Sequence, residues 1–200
     1  HIYDVWEHTL HALEHSSKDL LVRVALLFHD CGKPAACFKE GDIQHFYGHA
    51  NISVPLCKDA LKRLKFSRKF IADTSKLVEL HDMILLPNKK SVRRAVSAFD
   101  CDTVLFQRFV ELKICDSLAH GENLEKQVQP IYDALALFEQ MQNDEEAFSI
   151  SDLSIDGNDL ITAGVRQGKQ IGQLLNKALF GVCEEEVSNK KSELLKYLKL

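Results

Sequence analysis

Apolar residues return at every third or fourth position along almost the whole chain, and strand alternation is nearly absent. A sequence with that period buries itself as packed helices, so the expected fold class is all-α. Tyr3 to His15 reads as a first helix. Asp19 opens a second, with Leu20, Leu21, Val24, Leu27 and Phe28 on its apolar positions, and Gly32 and Pro34 are expected to end it. A third helix begins near His49, with Pro55 in its first turn or at a kink. Phe70, Thr74, Leu77 and His81 mark a fourth, and Val92, Val96 and Phe99 a fifth. Leu105, Phe109, Leu112 and Asp116 mark a sixth, and Leu124 to Phe138 a seventh. Residues 35–48 read as irregular, with a turn at Gly41-Asp42.

The polar, acidic stretch Asn143 to Ala147 is the best linker candidate. Beyond it, Phe148 to Asp159 is irregular, Gly164, Gly168 and Gly172 recur every fourth residue, and a charged helix is expected from about Cys183. The expected organisation is a helical bundle over residues 1–142 and a smaller helical tail over 143–200. At 200 residues, 46% hydrophobic and 27% charged, the chain has the make-up of a globular protein and not of a disordered or fibrous one. Lys+Arg 25 against Asp+Glu 29 argues against a whole-surface grip on nucleic acid and leaves room for a local basic patch. No apolar run approaches the ~18 residues of a membrane span, and no export leader is expected. The six cysteines are scattered without a C-x-x-C pair, which reads as free thiols in a reducing cytoplasm. Trp6 and the 11 phenylalanines read as core.

The chemistry concentrates in His8, the doublet His29-Asp30, His49, His81 and Asp116. Asp116 continues the stripe Leu105, Phe109, Leu112, and His81 continues Phe70, Thr74, Leu77. A charged carboxylate on a buried stripe is costly unless it is paired or holds a metal. Helices that each turn one N or O donor inward can assemble such a site inside a bundle. Imidazole with carboxylate suits Mg²⁺ or a first-row divalent ion such as Mn²⁺, Ni²⁺ or Co²⁺. The alternative is a set of ordinary satisfied core histidines.

The run Phe28-His29-Asp30-Cys31-Gly32-Lys33-Pro34, with His8 upstream and Asp116 downstream, resembles the HD superfamily of metal-dependent phosphohydrolases. Further segments resemble the HD-containing C-terminal half of bacterial CCA-adding tRNA nucleotidyltransferases. They are Val5 to Leu10, Leu26 to Pro34, His45 to His49, Arg63 to Ser67 and the tail Ile155 to Leu160 with Gly164, Gly168 and Ile171-Gly172. The resemblance implies metal ligands at His8, His29, Asp30 and Asp116. It places His49 and His81 where they complete a second metal or bind phosphate, and Lys33 where it holds a substrate phosphate. It implies hydrolysis of phosphomonoesters or 2′,3′-cyclic phosphodiesters. Nothing before His8 could form the nucleotidyltransferase head, so the chain is expected to be a C-terminal part or a stand-alone derivative. By itself it is not expected to add CCA. The second reading is a tRNA-binding body with a structural HD site.

Other signals are weaker. Asp100-Cys101-Asp102 has the spacing of paired catalytic carboxylates but reads as a helix end and N-cap. Cys31, Cys37, His45 and His49 fit no common zinc spacing. Gly164 to Gln170 departs from a P-loop. It reads either as a loop whose amides, with Arg166 and Lys169, meet an RNA phosphate, or as small residues that permit close packing. Lys62-Arg63, Lys65 and Arg68-Lys69 form one basic cluster, and Lys89-Lys90 and Arg93-Arg94 another. Such runs are usually solvated faces. The RNA-binding reading takes Lys89, Lys90, Arg93, Arg94, Arg166 and Lys169 as phosphate contacts and expects Lys89, Lys90, Arg93, Arg94 and Arg166 to share a face.

Overall fold

The helical stripes form the helices they predict. A computed structural model describes residues 3–41, 43–121, 124–144 and 147–200. Helix α1 is Val5–His15, α2 Leu20–His29, α3 Lys33–Ala36, α4 His49–Arg63, α5 Arg68–Leu80 and α6 Lys89–Ala98. Then follow α7 Thr103–Leu118, α8 Leu124–Asn143, α9 Gly157–Thr162, α10 Lys169–Cys183 and α11 Lys191–Leu198. None of the described helices is long and apolar enough to cross a membrane.

Helix starts follow local chemistry. Asp4 and Glu7 form a capping box at α1. Asp19 Oδ1 accepts the amides of Leu21 and Val22 at α2, and Ser67 caps α5 through the Phe70 amide. Asp102 caps α7 by accepting the Leu105 amide, so the Asp100-Cys101-Asp102 run is a helix boundary.

Several expectations change. Pro34 does not simply stop α2 but lies in the first turn of α3, where its missing N–H is harmless. Phe38–Glu40 and Ile43–His45 pair as an antiparallel hairpin, β1 and β2, within a stretch read as irregular. Asp42 of the expected turn, and residues 145–146 of the expected linker, lie outside the described residues. Helix α4 continues through Pro55, which sits in its second turn. The tail contains the apolar helix α10 before its charged last helix, which starts at Lys191 and not near Cys183. Trp6 is also not core: it is 60% exposed.

The chain packs as two units, whose boundaries fall elsewhere than between residues 142 and 143. The first comprises His1–Ile84 and Gln107–Tyr132, and the second Leu85–Phe106 and Asp133–Leu200. In the first unit, α5 packs on α2 and α4, and α1 packs on α2. Val22, Ala25, Leu26, Leu61, Leu77 and Val78 are buried there. In the second, α10 carries α6, α9 and α11. Its core joins Ile155, Leu160, Leu175, Ala178, Val182, Leu194 and Leu198. Helix α6 was expected in the N-terminal bundle. It belongs to the second unit, where it packs on α10, and its stripe of Val92, Ala95 and Val96 is buried.

Candidate metal centre

Five elements of the first unit each deliver a donor to one buried point. Helix α1 brings His8, the end of α2 brings His29 and Asp30, and the first residue of α4 is His49. His81 caps α5, and Asp116 lies on the last turn of α7. His8, His29, Asp30, His49 and His81 are all buried.

A glycine allows this convergence. A Cβ on Gly32 would lie 2.3 Å from the His49 carbonyl oxygen and 2.8 Å from the Ser53 amide nitrogen, so only glycine lets α4 come this close. The Gly32 amide donates to Ser53 Oγ at 2.9 Å and fastens the doublet to α4.

Asp30 is the hub. Its Oδ1 lies 3.2 Å from His49 Nε2 and 3.6 Å from His81 Nε2. Its Oδ2 lies 3.3 Å from His29 Nε2, 3.9 Å from His8 Nε2 and 2.5 Å from Lys33 Nζ. Asp116 Oδ1 is the second hub, 2.8 Å from His8 Nε2 and 3.4 Å from His29 Nε2.

The far nitrogens of the histidines fix what the near ones present. His29 Nδ1 donates to the Leu26 carbonyl at 2.6 Å, His49 Nδ1 to Phe46 at 3.0 Å and His81 Nδ1 to Val78 at 2.7 Å. A carbonyl only accepts, so each Nδ1 carries a proton, and each ring in its neutral form turns an Nε2 lone pair inward. This is the backbone support that metal-binding imidazoles use.

The electrostatics ask for positive charge. Burial opposes a charge on His29, yet the neighbouring carboxylates of Asp116 and Asp30 raise its pKa to about 10. Burial would push both carboxyls upward. The surrounding imidazoles, His29 foremost, instead hold Asp30 and Asp116 far below the usual carboxylate range. The Asp30 carboxylate raises His49 against its burial. Lys113, which donates to the His81 carbonyl at 3.0 Å, is lowered by burial despite the charges of Asp116 and Asp82.

With this geometry, the family profile described as "tRNA nucleotidyltransferase domain 2 putative" matches residues 46–198. The chain belongs to the tRNA nucleotidyltransferase domain 2 family. Two curated tRNA nucleotidyltransferases are similar to this family member. The CC-adding tRNA nucleotidyltransferase of Thermus thermophilus is 26% identical over 199 residues, covering 96% of this chain and 44% of that protein. The A-adding tRNA nucleotidyltransferase of Deinococcus radiodurans is 33% identical over 103 residues, covering 48% of this chain and 24% of that protein. The chain thus spans less than half the length of either relative. The family match includes His49, His81 and Asp116, while His8, His29, Asp30 and Lys33 precede it.

The donor set of this family member fits a divalent ion. Among the described residues, three groups bring donor atoms within 4.8 Å of one another: His8, His29 and Asp30; Asp30, His49 and His81; and His8, Asp116 and His120. His29 Nε2 and Asp30 Oδ1 are buried with no hydrogen-bond partner. His49 Nε2 and His81 Nε2 face each other at 2.9 Å, and two neutral rings with protonated Nδ1 have no proton to place between them. A bound cation resolves both deficits.

Sequence reading missed two neighbours. His120 stands edge-on to His8 with ring centroids 4.8 Å apart, and its position four residues after Asp116 was the available signal. Asp82, adjacent to His81, brings Oδ2 within 3.4 Å of His49 Nε2. A cavity of about 340 Å³ opens onto His8, Asp30 and Lys33, with Tyr3, Val5 and Phe46 as apolar walls. Cys31, Cys37 and His45 belong to none of the three donor groups.

The expected RNA-contacting residues all lie in the second unit. Lys89, Lys90 and Arg94 are exposed on α6, and Arg166 and Lys169 are exposed before and at the start of α10. Arg93 Nη1 lies 3.1 Å from Glu185 Oε1, just past the end of α10. Lys169 opens that helix about 22 Å away along its axis. Nothing lies within 4 Å of a Cβ built on Gly164, Gly168 or Gly172, so close packing does not explain these glycines. Gly164 and Gly168 have φ of +96° and +136°. A left-handed backbone explains those two.

Proposed function

We propose that the first unit is an HD-type, metal-dependent phosphohydrolase acting on phosphomonoesters or 2′,3′-cyclic phosphodiesters. The observation that carries this reading is the set of inward Nε2 atoms, each with its Nδ1 tied to the backbone, around Asp30 and Asp116. His8, His29, Asp30 and Asp116 would hold the ion, and His49 and His81 would hold a second one or the substrate phosphate. A bound divalent ion would supply a water of lowered pKa and polarise a phosphoryl oxygen.

The chain's own residues do the rest. Lys33, on the cavity wall and paired with Asp30, offers an ammonium to the non-bridging oxygens of a phosphate. Tyr3 and Phe46 shield the opening and accept an apolar or aromatic part of the substrate.

The test is hydrolysis of 2′,3′-cyclic AMP with Ni²⁺, Mn²⁺, Co²⁺ or Mg²⁺, using Asp30→Ala as the blank. Turnover absent from the blank supports the reading. No turnover with any of the four ions, on this ester or on a nucleoside monophosphate, rejects it. The family match favours a second role, that of a body binding tRNA for a nucleotidyltransferase. In that role Lys89, Lys90, Arg93, Arg94, Arg166 and Lys169 would contact phosphates. The free thiols and the relatives' names fit a cytoplasmic protein.

A further inference from the structure

Of the chain's six cysteines, Cys31, Cys37, Cys57 and Cys115 belong to the first unit, and Cys101 and Cys183 to the second. The two in the second unit meet. Although 82 positions apart, they bring their Sγ atoms to 3.2 Å in a buried contact.

Backbone fixes both ends of this contact. Cys183 is the last residue of α10, which packs on α6. Cys101 lies in the connection from α6 to α7, where Asp100 and Cys101 are both left-handed, with φ of +56° and +60°. Neither is glycine, so the turn carries strain. Amide hydrogen bonds hold it. Cys101 N–H donates to the Val96 carbonyl at 3.1 Å, and the amides of Asp100 and Asp102 donate to Ser97 at 2.9 Å and Phe99 at 3.0 Å. A cysteine serving only as a small apolar filler gives no reason for a left-handed turn at its own position, whereas a sulfur held against a second sulfur does.

A disulfide bond is ~2.05 Å long, so the two sulfurs need to close by only about 1.2 Å to form one. Cys101 is 8% exposed and Cys183 2%, so a small oxidant reaches Cys101 first. The hydrogen bond from Cys183 holds the Cys101 thiol below the ordinary thiol range, against burial and the charges of Asp100 and Glu184. That favours the thiolate, the reactive form.

We propose that Cys101 and Cys183 form a reversible redox modification site whose oxidant is hydrogen peroxide. The Cys101 sulfur attacks one peroxide oxygen and the O–O bond breaks. Cys101 becomes a sulfenic acid, and the departing hydroxide leaves as water with the thiol proton. The Cys183 sulfur then attacks the Cys101 sulfur, the S–O bond breaks, and a second water carries off the Cys183 proton. Two thiols are oxidised to one disulfide, and one peroxide is reduced to two waters. A dithiol reverses the change by exchange. The new bond ties the entry to α7, the helix that carries Asp116, to the end of α10.

The test is peptide mapping of the full chain, stripped of metal by a chelator, with peroxide raised until the exposed Cys37 is oxidised. Remaining thiols are then alkylated with N-ethylmaleimide under denaturing conditions. A peptide linking Cys101 to Cys183 within one chain is expected, and dithiothreitol should abolish it. The linked protein should melt at least ~5 °C above its reduced form. Cys183→Ser should lose that shift and gain a dimedone adduct at Cys101, while Cys101→Ser should leave Cys183 alkylated. Because the mapping uses the parent protein, it decides the question even where a variant fails to fold. Alkylated Cys101 and Cys183 beside an oxidised Cys37 overturn the proposal. So does a bond from either to another cysteine or between two copies of the chain. Asp30→Ala should form the same link in the same yield, so failure here and failure of the metal centre are read separately.

Discussion

The two units bury opposite kinds of matter. The second is built around apolar side chains, aliphatic and aromatic, with α10 packed on three other helices. At the heart of the first lie four imidazoles and a carboxylate that are buried, with Asp116 beside them. Apolar side chains pack tolerably in many arrangements, so the second unit needs only volume and pattern. The first depends on which polar groups meet, and its helices are held in place by specific polar contacts such as Gly32 N–H to Ser53 Oγ. A core that spends burial on unpaired lone pairs is arranged for something other than its own stability.

The largest break in that comparison should come from Asp30→Ala, which removes the hub shared by two donor groups. Metal retention measured by elemental analysis, and metal-dependent hydrolysis, should both fall by at least ~100-fold. Retained metal at the parent stoichiometry would remove Asp30 from the ligand set.

Next is a pair of glycine substitutions. Gly32→Ala drives a methyl into the backbone of α4 and should cost about 3 kcal/mol in denaturant unfolding while weakening metal binding. Gly181→Ala meets only the Tyr197 ring, at 2.8 Å, and a side chain can swing aside. It should cost about 1 kcal/mol and leave metal binding alone. Equal losses in the two variants would contradict the contrast between a fixed and a yielding neighbour.

Metal loading sharpens the comparison further. At an ion concentration one hundred times its dissociation constant, the first unit should gain about 2.7 kcal/mol, and a chelator should remove it. Hydrogen exchange should then quicken in α2, α4 and α5 and not in α10 or α11. Acceleration spread evenly over both units would mean that the ion does not act on the first alone.

The smallest effect concerns pH. Burial would raise the Asp19 carboxyl, but the Arg108 hydrogen bond and the Leu21 and Val22 amides outweigh it and hold the pKa below its ordinary value. A depressed carboxyl stabilises the fold above its unfolded pKa of about 3.9, and that contribution is lost as pH falls through the folded value. Asp19→Asn should therefore cost about 0.5–1 kcal/mol near pH 7, screened in part by solvent, and close to nothing near pH 2. A penalty that stays constant across that range would assign the residue's role to its shape and not its charge.

Much of the site was legible because a polar residue on an apolar stripe is conspicuous. Asp116 after Leu105, Phe109 and Leu112 is such a case, and so is His81 after Leu77. His120 was hidden because it follows the end of α7, where the stripe no longer marks which side faces inward. The hairpin at Phe38–His45 was hidden because its three-residue strands are too short for alternation to register, and all of β1 is exposed. The assignment of α6 was illegible for a different reason. Its stripe announces a buried face but not which helix buries it.

The sequence by itself determined the helices, their caps and the residue types that could bind a metal, because period and capping act within a few residues. Only the tertiary structure decided that the donors from α1, α2, α4, α5 and α7 meet at one point, that α6 packs on α10, and that the sulfurs of Cys101 and Cys183 come together. These depend on which stripes pair across long stretches of chain. That choice is made by shape and by the near-absence of side chain at Gly32, which no local pattern encodes.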